Sequence, residues 1–114
     1  MDRRLLGSHA EGIARRHLEA HGLQLVCENY RCRFGEIDLV MHDGRATVFV
    51  EVRMRASSTF GGAIESITAA KRSRLLAAAR HYLSAHASLP ECRFDAVLLN
   101  GDGRIDWFKN AFGE

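Results

Sequence analysis

Asp38 and Glu51 are the residues whose type and setting point to chemistry, because both acids sit inside the most hydrophobic runs of the chain, IDLVM and VFVEV. Strands favour β-branched and apolar side chains and disfavour acids, so a carboxylate kept in such a run needs a reason. Asp43-Gly44 separates the two runs and predicts a hairpin, since Asp-Gly supplies the positive φ angles of a two-residue turn. With Asp43 and Gly44 as the loop, His42 lies opposite Arg45, Asp38 opposite Phe49 and Glu36 opposite Glu51. Side chains alternate along a strand, so Glu36, Asp38 and Val40 share one face, and Ile37, Leu39 and Met41 the other. On the second strand Phe49, Glu51, Arg53 and Arg55 share a face. This register makes Asp38 and Glu51 diagonal neighbours, with Cβ atoms roughly 7–8 Å apart. A three-residue loop would slide the pairing by one and separate them. Converging carboxylates repel unless one keeps a proton or a cation lies between them. Oxygen-only ligands on two rigid strands suit a hard divalent ion, Mg²⁺ or Mn²⁺. Arg53 points the same way as Glu51 and is placed to hold a phosphate or to stabilise charge building on phosphorus.

An aspartate, a dozen intervening residues and then Glu51-Val52-Arg53 resembles the arrangement of the restriction-endonuclease-like nucleases. Within that superfamily the chain resembles the YraN family of bacterial proteins, which are similar to archaeal Holliday junction resolvases. The likeness covers nearly the whole chain. It rests on Gly7 to Glu11 with Ala14, Asn29-Tyr30-Arg31, Gly35 to Val40, Phe49 to Arg55, Lys71-Arg72, Ala79 with Tyr82-Leu83, and Arg93-Phe94-Asp95. Gly-Glu-Ile-Asp-Leu followed by Val-Glu-Val is the specific part. The resemblance implies a metal-dependent endonuclease acting on nucleic-acid phosphodiesters, with branched DNA among the substrates it suggests. It implies Mg²⁺ or Mn²⁺ held by Asp38, Glu51, the Val52 carbonyl and Glu11, with Asp38, Glu51, Arg53 and Lys71 as the catalytic set. It also implies a homodimer. The superfamily usually carries lysine where this chain has Arg53. Arginine keeps the charge but gives up no proton at working pH, so an acid-base step needs another group, and Lys71 is the candidate substitute from the neighbouring helix.

At 114 residues the chain has room for one core and is expected to form a single nuclease-like domain, 1–114. Apolar content of 46% and charged content of 26% are those of a globular protein and argue against disorder. MDRRLLGSHAEG holds no apolar run of signal-peptide type and no segment is long enough to span a bilayer, so a cytoplasmic protein without membrane contact is expected. Cys27, Cys32 and Cys92 fit no ligand spacing, which predicts reduced thiols, and six scattered histidines argue against zinc. Net charge is only +2, but fourteen of the sixteen basic residues are arginine and they cluster. Arg31 with Arg33, Arg53 with Arg55, and Lys71-Arg72 with Arg74 are candidate phosphate contacts, so Arg31, Arg33, Arg55, Arg72 and Arg74 form the expected nucleic-acid surface, with DNA the expected partner. An arginine-favouring genome would give the same count.

The elements that must position these residues follow from periodicity. Ser8 to His21 reads as an amphipathic helix ending at Gly22. Glu11 has two readings there: a capping box with Ser8, or a place on the Ala14–Leu18 stripe that approaches the metal. Leu23 to Tyr30 reads as a strand with Leu23, Leu25 and Cys27 on one face. The run ASSTFGGA after Arg55 is a connector or a lid beside the charged face. A second helix runs from about Ser66 to Ala87, capped by Ser66 or Thr68, with Leu75, Ala79, Tyr82, Leu83 and His86 inward. Lys71 lies on that inward stripe, either snorkelling to water or reaching the site. Leu89-Pro90 ends the helix, Cys92 to Leu99 is a central strand, and Arg104 to Lys109 a last one. Asp95, the acid of the central strand, reads as a satisfied core carboxylate or the partner of a helix arginine. The order α-β-β-β-α-β-β predicts an α/β, restriction-endonuclease-like sandwich on a mixed sheet, its first three strands antiparallel because their links are short. Two other readings stand beside the nuclease: a catalytically inactive nucleic-acid-binding protein on the same fold, and a salt-bridged patch of Asp38, Glu51, Arg53 and Arg55 at a subunit contact.

Overall fold

A computed structural model describes residues 3–55, 67–86 and 91–112, with side chains for 9–54, 67–86 and 91–111. The elements are α1 (Arg3–Ala20), β1 (Gln24–Cys32), β2 (Gly35–Asp43), β3 (Ala46–Arg55), α2 (Ala69–Ala85), β4 (Glu91–Asn100) and β5 (Ile105–Phe112). This is the α-β-β-β-α-β-β order expected from the periodicity. All five strands form one sheet in the order β1-β2-β3-β4-β5. Only β3 and β4 are parallel, because α2 carries the chain across between them, whereas the remaining neighbours are joined by short antiparallel turns. The connector 56–66, the Ser66 cap, the Leu89-Pro90 helix end and the Arg55 side chain lie outside the described residues.

The sheet is buried on both faces. Ala10, Ala14 and Leu18 of α1 pack on Leu39, Met41, Val48, Val50 and Val97. Leu75, Ala78, Ala79 and Tyr82 of α2 pack on Val40, Phe49, Phe94 and Ala96. His86, expected among the inward residues of α2, is instead the exposed C-cap, its amide donating to the Tyr82 carbonyl. Thr68 is the N-cap, its hydroxyl accepting from the Lys71 amide at 3.1 Å.

The hairpin register departs from expectation in an informative way. Asp43 pairs with Ala46, so the two loop residues are Gly44 and Arg45 rather than Asp43 and Gly44. Gly44 takes φ +59 and Arg45 has no positive φ, which matches a turn with glycine at its first central position. Asp43 stays in the strand, where its carboxylate meets Arg93 Nη1 at 2.9 Å. Moving the turn by one residue moves each partner by two, and the two-residue period keeps every face unchanged. Val40 therefore faces Phe49 and Leu39 faces Val50, so Asp38 and Glu51 follow together at the step where the paired ladder ends, and Asp38 does not lie against Phe49.

Alternation also breaks twice in β1. A bulge between Leu25 and Cys27 leaves Leu25 on the α1 side and turns Cys27 to the α2 side, against the single face expected for both. The second break is at Asn29, held at φ +51. The β1–β2 register places Asn29 across from Asp38. There β2 breaks too: Ile37 joins Val40 in the α2 layer, whereas strict alternation would put it with Leu39.

Candidate active site

The irregular step at Asp38 has a local cause. The β2–β3 ladder runs from Asp43–Ala46 to Leu39–Val50 and ends there. Beyond it the Val52 amide donates to Asp38 Oδ2 at 2.8 Å, so a side chain takes the place of the neighbouring strand's carbonyl. A carboxylate bonded to the adjacent backbone lies along the sheet rather than above it. That accounts for the lost step of alternation, and it holds Asp38 beside Glu51 where the strands part.

Glu51 is only 3% exposed. Its Oε1 is 2.8 Å from Lys71 Nζ and 3.6 Å from Arg53 Nε. Lys71 reaches it because the Thr68 cap fixes the first turn of α2 over β3. A cation in that first turn opposes the helix dipole, and no acid precedes it there. The buried carboxylate is what compensates, so the amine is turned inward to Glu51 and does not simply snorkel.

Burial first, and the facing Glu51 carboxylate second, raise the Asp38 pKa to about 7, with the Val52 amide and Lys71 opposing them. Glu11 lies about two turns into α1, which begins at Arg3, so it does not cap the helix. It accepts from Asn29 Nδ2 at 2.9 Å, and burial raises its pKa. Asn29 thus links α1 to the irregular step opposite Asp38. Asn29 takes a left-handed φ of +51, a conformation asparagine tolerates better than most residues; the sequence offered it only as part of the Asn29-Tyr30-Arg31 motif, without a role.

Among the described residues no three His, Cys, Asp or Glu side chains converge closely enough to cage a metal. Asp38, Glu51, Arg53 and Lys71 are brought together, the Val52 backbone is joined to Asp38, and Glu11 stands near enough for Asp38 to feel its charge. The arginines diverge. Arg31 pairs with Glu36 across the β1–β2 ladder at 3.2 Å, both well exposed. Arg33 is exposed with its guanidinium 4.8 Å from the Phe34 ring centre. Arg74 is exposed and, with Lys71, Leu75, Gly35 and Glu36, lines a cavity of about 210 Å³. Arg72 turns back, its Nε donating to the Ile67 carbonyl at 3.1 Å.

Asp95 is fully buried and satisfied. It accepts from Arg93 Nε at 3.0 Å, Trp107 Nε1 at 2.9 Å and the Asn110 amide at 2.9 Å. Its arginine partner comes from its own strand, not from a helix. Another cavity among the described residues, about 500 Å³, is lined mainly by apolar groups such as Ala10, Ile13, Met54, Leu99 and Ile105, and none of Asp38, Glu51 and Lys71 borders it.

Two helices covering a five-stranded mixed sheet, with paired carboxylates where the central hairpin opens, define a restriction-endonuclease-like α/β domain. The chain belongs to the uncharacterised protein family UPF0102, the YraN family of the sequence resemblance, which matches residues 10–99. A UPF0102 protein of Nitrosomonas europaea is 56% identical over 110 residues, covering 95% of this chain and 93% of its own. One from Methylobacillus flagellatus is 56% identical over 110 residues, covering 94% and 96%. One from Nitrosospira multiformis is 56% identical over 114 residues, covering 98% and 96%.

Proposed function

We propose that this domain is a divalent-metal-dependent endonuclease of the cytoplasm that hydrolyses phosphodiester bonds of nucleic acid, DNA in the first instance. The observation that carries the reading is the apposition of Asp38 and Glu51 at the parted strands, with the Lys71 amine 2.8 Å from Glu51. A buried and a half-buried acid side by side add little stability to a sheet and gain a purpose when a cation joins them. The donors fit Mg²⁺ or Mn²⁺. They are all oxygen, and a set of two carboxylates rather than a full cage suits an ion that keeps several waters and binds through one or two acids. Asp38 and Glu51 would hold the ion, with the Val52 carbonyl and Glu11 completing the shell.

Such an ion supplies a hydroxide nucleophile at neutral pH and neutralises the leaving oxygen. The chain's own groups do the rest. Lys71 and Arg53 pair with Glu51 and offer positive charge to the scissile phosphate. Arg53 works as a fixed charge, and proton transfer falls to Lys71 or to water. Arg31, Arg33 and Arg74 meet flanking phosphates. A homodimer would present two such sites.

The Lys71–Glu51 pair also favours a second reading, since an internal cation already neutralises one carboxylate: a nucleic-acid-binding protein that does not cut. Calorimetric titration of Mg²⁺ and Mn²⁺ into wild type and Asp38→Asn, with cleavage of labelled linear and branched DNA, separates the two. The nuclease reading expects metal binding and cleavage that both vanish in Asp38→Asn, and cleavage that falls in Lys71→Ala. Absence of metal binding, with DNA affinity equal or higher in Asp38→Asn, overturns it in favour of the binding protein.

A further inference from the structure

Phe34 occupies a turn position where a polar residue would be ordinary, yet its ring is held in place and 38% exposed. It stands at the tip of the β1–β2 hairpin. On one side the Arg33 guanidinium lies 4.8 Å from the ring centre. On another the His81 ring is 5.9 Å away at 59°, and His81 is itself fixed by a 2.6 Å hydrogen bond between its Nδ1 and the Tyr30 hydroxyl. An isolated exposed phenylalanine needs no explanation. A phenylalanine braced by a histidine of α2 and overlaid by an arginine is a prepared aromatic surface.

Its place relative to the carboxylates is fixed by the next residue. Gly35 has φ +146, where a side chain would be strained, and a Cβ there would stand 3.4 Å from Arg74 Cβ. The hairpin tip therefore packs directly on α2. Gly35 and Arg74 border the same 210 Å³ cavity as Lys71, whose amine contacts Glu51. A nucleic-acid strand whose phosphate lay at Lys71 would carry a neighbouring base toward Phe34.

We infer that Phe34, backed by His81 and flanked by Arg33, is a base-stacking platform that gives this site a preference for nucleic acid with unpaired bases over continuous duplex. The inference rests on the proposed nucleic-acid site and adds the substrate class to it. A base inside a duplex already stacks on both faces and has none to offer. An unpaired base does, and an aromatic side chain takes it without regard to sequence. Arg33 supplies the accompanying phosphate or cation–π contact.

The test is equilibrium binding in EDTA, so that no cleavage is required. Fluorescence anisotropy would compare a labelled 20-nucleotide single strand with its duplex, using the full chain as wild type, Phe34→Leu and Phe34→Trp. Phe34→Leu keeps an apolar group at a partly exposed position, and thermal unfolding would verify that the variant is folded. The expected result is loss of about tenfold in single-strand affinity for Phe34→Leu, with duplex affinity within twofold of wild type. Phe34→Trp restores the preference, and its added fluorescence is quenched by single strand. Equal weakening on both probes, no weakening on either, or no wild-type preference for single strand overturns the inference. Metal-dependent cleavage is scored separately on wild type and Asp38→Asn. A stacking preference without cleavage sinks the nuclease reading alone, and cleavage without the preference sinks the platform alone.

Discussion

Burial and the facing Glu51 carboxylate lift the Asp38 pKa from its ordinary 3.8 to about 7. A raised acid binds its proton more tightly in the folded chain than in the unfolded one, so metal-free stability is greatest below pH 4 as far as this group is concerned and declines as pH rises through 7. The size of the effect is on the order of 2–4 kcal/mol at pH 8. Asp38→Asn keeps an oxygen to accept the Val52 amide and removes the charge. Urea unfolding in EDTA between pH 5 and 8 should therefore show the variant more stable than wild type at pH 8, with a flatter profile. A steeper loss in the variant would mean that the proton is held elsewhere. The same proton competes with a divalent ion, so metal affinity should fall as pH drops below 7. Asp38 and Glu51 were legible as an anomaly of polarity in apolar strands. Asn29 was not, because nothing in an asparagine announces that the backbone opposite a carboxylate will take φ +51.

Helix α2 matters to the site through its first turn. Thr68 caps it and Lys71 follows three residues on, so the same hydrogen bond that stabilises the helix start aims the amine at Glu51. Thr68→Ala should cost about 1 kcal/mol of stability, read by thermal or urea unfolding. It should also lower cleavage by more than the loss of folded protein explains, because the turn carrying Lys71 loosens. Unchanged activity per folded molecule would leave Thr68 a purely structural cap. Sequence periodicity located both helices and all five strands to within a few residues, with α1 five residues longer at its start than expected. The hairpin register came out differently, since Asp43-Gly44 and Gly44-Arg45 both satisfy a two-residue turn. The Arg93–Asp43 contact, made by a residue fifty positions away in the chain, favours the second.

For the molecule as a whole, a net charge of +2 is too small to mark a nucleic-acid binder, and the distribution decides. Arg74 lines the Lys71 cavity, Arg33 is exposed beside Phe34 in the β1–β2 turn, Arg31 shares its charge with Glu36, and Arg72 is folded onto the Ile67 carbonyl. DNA affinity in EDTA should fall linearly with the logarithm of salt concentration. Arg33→Ala and Arg74→Ala should each reduce that slope by about one. Arg72→Ala should leave the slope unchanged and cost stability at the α2 start instead. A slope insensitive to Arg33 and Arg74 would place the nucleic-acid surface elsewhere. None of the described helices is long and apolar enough to cross a membrane.

Composition and periodicity alone determined that this is an α/β chain with two covering helices and a hairpin bearing misplaced acids, because burial imposes repeats of 3.6 and 2 residues that any reader of the sequence can find. The resemblance to the YraN family rested on local motifs spread over nearly the whole chain, the specific part of them in the same hairpin. Which acid faces which was decided only by tertiary structure. Register depends on where a turn closes and on a distant arginine, and Lys71 meets Glu51 only because a crossover helix lays its first turn over the parted strands. Proximity of that kind is a sum over contacts far apart in the chain, and no local pattern of residues contains it.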